Sequence, residues 1–389
     1  MTFSIPPYLA CDPHATERFP RLLEVVRKTD HPFYRERLAG DAIPLLTRDD
    51  ILDANDLLLN GHEETARTSG STGIPVRIAW SPKRRELEQK SNQQTLKWVG
   101  AVNNVCAIVH PNNETQKKAD FLIDVRTPLD EQIAFIKRRY QEAGAHGITT
   151  YPTNAENLAQ AVLDGGHDMG FVTCVGVYAE VFEEHQDDLV REAFPNAHVW
   201  SSYSSMELGV IAGRCPHDRN FHHVLSRKHG IEILNDRNEP CGEGELGRLV
   251  ITDYFNGWSP LIRYDIGDMA APAICSCGNT DMPAISQLAG KIRGALKHRD
   301  GRRIPFTTLS VAIRDIPGVR QYQVVQHELE KFELRIVRDD AVMSEQDFHA
   351  EVTAKFAREF GYAPRIFLTP ETRIERGANG KFYASLSKV

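Results

Sequence analysis

Thr68-Ser69-Gly70-Ser71-Thr72-Gly73, running on into Ile74-Pro75, packs two glycines among hydroxyl side chains within six residues. Glycine lets a backbone turn tightly and bring its N–H groups close to a ligand, and hydroxyls donate to phosphate oxygens. The stretch therefore suits a nucleoside triphosphate. Behind it, Val76-Arg77-Ile78-Ala79-Trp80 alternates as a strand does. The loop is neither a Walker sequence, because no Gly-Lys-Ser/Thr follows, nor a dinucleotide GxGxxG. A plain Ser/Gly linker is the competing reading.

Outward from this loop, the periodicities set the fold class. Residues 13–39 carry Phe19, Leu22, Leu23, Val25 and Val26 at helical spacing, and Thr47-Arg48-Asp49-Asp50 is an acidic capping-box start. A polar helix is expected at 82–98 and a charged one near 129–143, with a third helix at 154–165. Between them lie short apolar strands at Val105–Val109, Phe121–Val125 and Phe171–Val175. Alternation of this kind predicts a mainly parallel α/β sheet. From Gly230 the pattern changes to hairpins: Ile231–Leu234 and Arg248–Ile251 flank the turn-rich NDRNEPCGEGELG. Past about 290 a small α+β unit is expected, with strands at Val319–Gln326, Lys331–Val337 and Arg365–Leu368 and a helix at 344–360.

Composition narrows the function. The 389 residues exceed what one core usually supports. A net charge of −7 argues against a general nucleic-acid or membrane-surface binder. No apolar run reaches the length of a membrane span, and the first residues lack a basic-then-apolar leader pattern, so cytoplasm is the expected compartment. The 7 cysteines, odd in number and unevenly spread, do not read as a disulfide framework. Cys215, a choice among His217, His222 and His223, and Cys275-Ser276-Cys277 instead offer the thiolate and imidazole ligands that zinc prefers, against a reading as reduced thiols on a loop.

Two further stretches stand in order behind the loop: Trp200-Ser201-Ser202-Tyr203-Ser204-Ser205-Met206-Glu207-Leu208-Gly209 and Leu261-Ile262-Arg263-Tyr264-Asp265-Ile266-Gly267-Asp268. With the Thr68–Gly73 loop they resemble the signatures of the adenylate-forming superfamily, and in detail its phenylacetate-CoA ligase branch. The resemblance spans roughly residues 15 to 385. It implies an α/β N-terminal domain over 1–290, with mainly parallel sheets and a β-rich subregion, that binds ATP and an acid. It also implies a small, mobile α+β C-terminal domain over 291–389.

The residue roles that the resemblance implies are these. Thr68, Ser69, Gly70, Ser71, Thr72 and Gly73 cradle phosphate. Tyr203 packs on adenine beside Ser204, Ser205 and Gly176, and Glu207 holds Mg²⁺. Asp268 accepts from the ribose hydroxyls, Lys291 contacts ribose, and Arg293 is the hinge. Lys381 is the catalytic cation brought to the reacting anions. Tyr151 and Ser201 border the pocket of a compact, aromatic acid. Relatives that carry a Cys, a His and a Cys-x-Cys favour His223 as the imidazole ligand.

Two departures stand out: Met206 replaces a hydroxyl residue, and Lys291 replaces an arginine. Small carboxylic acid and ATP are thus the expected substrates, with CoA or another thiol, or an amine, as acceptor, in a monomer or homodimer. A stand-alone amide-forming ligase and a non-catalytic nucleotide or acid binder are the alternatives.

Overall fold

The structure is a computed structural model. It describes residues 15–40, 42–67, 76–109, 119–180, 182–224, 228–279, 282–289, 296–299, 303–304, 309, 312–313, 316–374 and 385–389. The chain divides into two compact units, Met1–Leu288 and Ala289–Val389.

In the first unit, helix α1 (Ala15–Lys28) leads to α2 (Arg48–Asp53) and α3 (Asn55–Leu59). The expected capping box at α2 is present: Asp50 N–H donates to Thr47 Oγ1, and Thr47 N–H donates to Asp50 Oδ2 at 2.8 Å. Strands β1 (Ala66–Arg67) and β2 (Arg77–Ile78) pair antiparallel, with Ala66 opposite Ile78. The Ser/Gly stretch, Thr68 to Gly73, falls between these two strands in the sequence and lies outside the described residues. Helix α4 (Pro82–Trp98) follows at once, with Ser81 as its N-cap and Pro82 at its first turn.

One sheet of 11 strands organises the unit. Its members are β3 (Val105–Val109), β4 (Leu122–Asp124), β5 (Gly147–Thr150), β6 (Cys174–Tyr178), β7 (His198–Ser205), β8 (Gly209–Arg214), β9 (Phe221–His223), β10 (His229–Leu234), β11 (Gly247–Asp253), β12 (Tyr264–Ala273) and β13 (Ala284–Ala289). They lie in the order β10-β11-β12-β13-β9-β8-β7-β6-β5-β3-β4. Strands β4, β3, β5, β6 and β7 run parallel, and their runs such as VCAIV are buried on both faces under α5 (Leu129–Ala143), α6 (Pro152–Asp164) and α7 (Glu184–Ala193). From β7 onward the pairings β7–β8, β8–β9, β9–β13, β12–β11 and β11–β10 are antiparallel, so the parallel and hairpin regions form a single mixed sheet. The hairpin expected after Gly230 is β10/β11, with Ile231 opposite Ile251.

One boundary shifts. The strand expected at Phe171–Val175 is β6, Cys174–Tyr178. The apolar Phe171 and Val172 belong to a turn, where Asp168 Oδ1 accepts from Gly170 N–H at 2.9 Å and Val172 N–H donates to the Met169 carbonyl.

The second unit carries a short β14 (Leu296–Lys297)/β15 (Arg303–Ile304) ladder and a sheet in the order β18-β17-β16-β19. Its strands are β16 (Val319–Glu328), β17 (Lys331–Arg338), β18 (Arg365–Pro370) and β19 (Ser385–Ser387), covered by helix α8 (Glu345–Phe360). Phe332 meets Phe356 and Phe360 edge-on at 5.2 Å each. Edge-to-face pairs add roughly 0.5–1.5 kcal/mol each beyond burial. Among the described residues no helix is long and apolar enough to cross a membrane.

Candidate active site and metal centre

The second and third signatures meet through two reciprocal tyrosine–carboxylate bonds. Tyr203 on β7 donates its hydroxyl to Asp268 Oδ2 on β12 at 2.5 Å. Tyr264, at the start of β12, donates to Glu207 Oε1 in the β7–β8 turn at 3.3 Å. Strands β7 and β12 are four places apart in the sheet. Flat, they would lie about 19 Å apart at the usual interstrand spacing, so this half of the sheet curls back on itself. A register shift at Tyr203/Ser204 supplies a local bend.

Glu207 and Asp268 are nearly enclosed, at 2% and 5% exposure. Burial first, and the neighbouring carboxylates next, push both phenols far above their ordinary range. Each tyrosine therefore stays a neutral donor. Two enclosed carboxylates aimed at one curled sheet end are what a polyhydroxylated, cation-bound anion needs.

Backbone anchors tie Trp80 and the chain before α2 to this pair. Trp80, just past β2, donates its indole N–H to the Glu207 carbonyl at 3.2 Å. Leu46 N–H donates to the Arg263 carbonyl at 2.9 Å, and Asp265 N–H returns to the Leu46 carbonyl at 2.8 Å, so the chain before α2 runs beside β12. Arg263 takes a left-handed φ of 51°. Its guanidinium is held by Glu232 Oε2 at 3.0 Å and the Ile43 carbonyl at 2.6 Å.

The other expected residues fall as follows. Ser205 Oγ accepts from Leu208 N–H at 3.2 Å and shapes the Glu207 turn, Ser204 pairs opposite Val210 in the ladder, and Met206 is exposed. Ser201 is buried, its hydroxyl 3.2 Å from His222 Nε2. Burial, helped by Arg214 and His223, pushes His222 down to about 3, so that ring is neutral. Tyr151 has no exposed surface; it caps the end of β5 and meets Tyr178 edge-on at 5.8 Å.

Gly176 sits in the middle of β6, where an added Cβ would come within 2.2 Å of the Trp200 ring. The indole lying across it accounts for the glycine without any nucleotide. The backbone turn lies three residues later, at Ala179, with a left-handed φ of 72°. The next residue, Glu180, accepts from Thr153 N–H at 3.0 Å and Oγ1 at 2.7 Å at the start of α6. Lys291, Arg293 and Lys381 lie outside the described residues.

Cys215, His223, Cys275 and Cys277 place their ligand atoms within 4.8 Å of one another and could hold a metal ion. They stand at the ends of neighbouring strands: Cys215 after β8, His223 ending β9, and the two others between β12 and β13. Cys275 and Cys215 sulfurs are 3.7 Å apart, and Cys277 Sγ is 3.4 Å from His223 Nε2. His223 Nδ1 is 3.1 Å from the Met282 carbonyl, to which it donates. That bond leaves Nε2 as the lone-pair nitrogen, turned toward the sulfurs, an arrangement that suits a four-coordinate metal. His217 and His222 are not in the cluster.

Sequence reading missed Trp80, and it missed Arg84, a fully buried cation in a helix expected to be merely polar. The one available signal was an Arg–Glu pair at 84 and 88, four residues apart, directly behind the Ser/Gly loop.

No protein-family model matches the chain. Among curated proteins it is similar to a phenylacetate-coenzyme A ligase of Thermus thermophilus, at 27% identity over 154 residues, covering 39% of this chain and 32% of that ligase. The match thus spans about a third of the curated relative's length. Among solved structures, a 2-hydroxyisobutyryl-CoA ligase in the postadenylation state with R3-HIB-AMP aligns over 97% of this chain and 91% of its own, with a TM-score of 0.72 and 16% identity. ATP-bound MatB from Rhodopseudomonas palustris aligns over 82% of this chain and 66% of its own, with a TM-score of 0.59 and 14% identity. In fold the chain is thus similar to these ligases, and over part of its length it is similar in sequence to one of them.

Proposed function

We propose that the protein activates a compact, aromatic carboxylic acid with ATP, forming an acyl-adenylate and pyrophosphate, and passes the acyl group to a thiol such as CoA. The observation that carries this reading is the pair of reciprocal bonds, Tyr203 to Asp268 and Tyr264 to Glu207, in a turn that Trp80, just past β2, also holds. The similar ligase is described with an acyl-AMP and CoA in another of its structures, which supports acid and thiol as the two partners.

In the first step the acid's carboxylate attacks the α-phosphorus and pyrophosphate leaves with its bonding electrons. Asp268 would take the ribose hydroxyls, Tyr203 the adenine face, and Glu207 would hold Mg²⁺. Bound there, the ion would neutralise phosphate charge. Lys381 would stand between the two anions as they meet. In the second step the acceptor sulfur attacks the acyl carbon and AMP departs. Rotation of a mobile C-terminal domain, 291–389, about Arg293 would withdraw Lys381 between the steps. Zn²⁺ at Cys215, His223, Cys275 and Cys277 would be structural, because all four positions are filled by protein ligands.

Pyrophosphate release over a panel of aryl and short-chain acids tests the reading, with AMP as the other nucleotide product. ADP and phosphate, or no turnover, overturns it. Lys381→Ala should slow acyl-AMP formation by about two powers of ten, comparable with losing one preorganised electrostatic contact. It should still transfer pre-made acyl-AMP at a near-normal rate. Arg293→Pro should adenylate and fail to transfer.

A further inference from the structure

Behind the Glu207 turn lies a buried group of charges that the proposed chemistry does not use. Arg84 and Glu88 stand one helical turn apart on α4, with Lys228 just before β10 and Asp253 at the end of β11. Arg84, with no exposed surface, bonds Asp253, donates to Glu88 Oε2 at 2.8 Å, and donates to the Leu208 carbonyl at 2.5 Å. Glu88 bonds Lys228, and its Oε1 accepts from Val210 N–H at 2.8 Å. Burial would raise the Glu88 carboxyl, but the charges of Lys228 and Arg84 outweigh it and hold it below its ordinary range, so it is a carboxylate. Between the two gripped residues, Gly209 has a left-handed φ of 69°, and a Cβ there would come within 2.2 Å of the Glu88 carboxylate. The Arg84 guanidinium also lies 4.8 Å from the centre of the Trp80 ring, whose N–H holds the Glu207 carbonyl.

Thus residues 207, 208 and 210 are each fixed through the backbone, and these three anchors come from the segment that follows β2. Four largely buried charges, Arg84, Glu88, Lys228 and Asp253, cost several kcal/mol of desolvation unless paired, so nothing about folding alone calls for such a group at this place. A backbone pinned at and just beyond a carboxylate is one way a ligand is held to a fraction of an ångström.

We propose that Arg84 and Glu88 are positioning residues that set the Glu207 carboxylate for the cation of Mg-ATP. The proposal rests on the reading of Glu207 given above. Glu207 is the residue that would touch the ion; Arg84 and Glu88 act through it.

The test compares wild type, Glu88→Ala and Glu88→Gln, the last keeping shape and an acceptor for Val210 while removing the charge. Titration calorimetry measures ATP binding with Mg²⁺ and with EDTA, and hydrogen exchange follows the Val210 amide. In Glu88→Ala the Val210 amide should exchange at least tenfold faster. The gain in ATP affinity from Mg²⁺ should fall about tenfold, with EDTA-measured affinity within about twofold of wild type. Glu88→Gln should lie between, and serves alone if the alanine variant does not fold. An unchanged Mg²⁺ gain in a folded variant whose Val210 amide has opened overturns the proposal, as does a wild type that gains nothing from Mg²⁺. A wild type that binds Mg-ATP as expected but releases no pyrophosphate with any acid overturns the adenylation reading and leaves the positioning role standing.

Discussion

The Tyr203 hydroxyl reaches Asp268 Oδ2 at 2.5 Å although their strands are separated by three others in the sheet. The bond does two jobs: it closes the curl of the sheet, and it fixes one carboxylate oxygen. Tyr203→Phe removes a donor to a buried charge, which costs on the order of 1.5–3 kcal/mol. Urea unfolding should show that loss. Asp268→Ala should weaken ATP binding by about 2–3 kcal/mol, because a sugar diol would lose its charged acceptor. An unchanged ATP affinity in folded Asp268→Ala would remove Asp268 from the site.

The thiol–imidazole cluster should hold about one equivalent of zinc in purified, untagged protein. Cys275→Ser combined with Cys277→Ser should lose the metal and lower the melting temperature, since ligand binding by the folded state alone is stability. His222→Ala should keep the zinc, whereas His223→Ala should not. Freely titrating thiols at Cys215, Cys275 and Cys277 in the folded protein would dismiss the centre.

At Ala179 the backbone is left-handed, with φ of 72°. An L side chain there costs roughly 1–2 kcal/mol. Glycine relieves that strain and costs roughly 0.5–1 kcal/mol of extra chain entropy. Ala179→Gly should therefore stabilise the protein by about 0.5–1 kcal/mol in chemical denaturation. A loss of stability would show that the alanine methyl packs better than its backbone suggests.

Glu333 on β17 carries a pH dependence. Partial burial would raise its carboxyl, but hydrogen bonds from Arg335, His327 and Thr369 outweigh burial and bring it down to about 2. A carboxyl lowered by folding stabilises the fold above its unfolded value, and that contribution is lost as pH falls through the folded value. Glu333→Gln should be less stable than wild type at pH 7. The gap should shrink between about pH 4.5 and pH 2. A gap that persists at pH 2 would assign the effect to packing.

What was legible in the sequence was local. Thr47 and Asp50 announce a helix start because a capping box needs only residues three apart. The β10/β11 hairpin shows because alternation and turn residues sit side by side, and the thiols show because Cys275 and Cys277 are nearly adjacent. What stayed hidden depends on contacts between distant segments. The glycine at 176 answers to Trp200, the curl of the sheet follows from Tyr203 meeting Asp268, and the burial of Arg84 requires Asp253, 169 residues away. The start of β6 was misplaced because Phe171 and Val172 are apolar for the sake of a packed turn.

The closeness of Gly209 to Glu88 also sets a rule of inheritance. A side chain acquired at 209 would meet the Glu88 carboxylate at 2.2 Å and would sit on a left-handed backbone, so Glu88 would have to swing out of its bonds to Lys228 and the Val210 amide. Reconstructed ancestors or recombined libraries that keep Glu88 in this place should therefore favour Gly209 beside it.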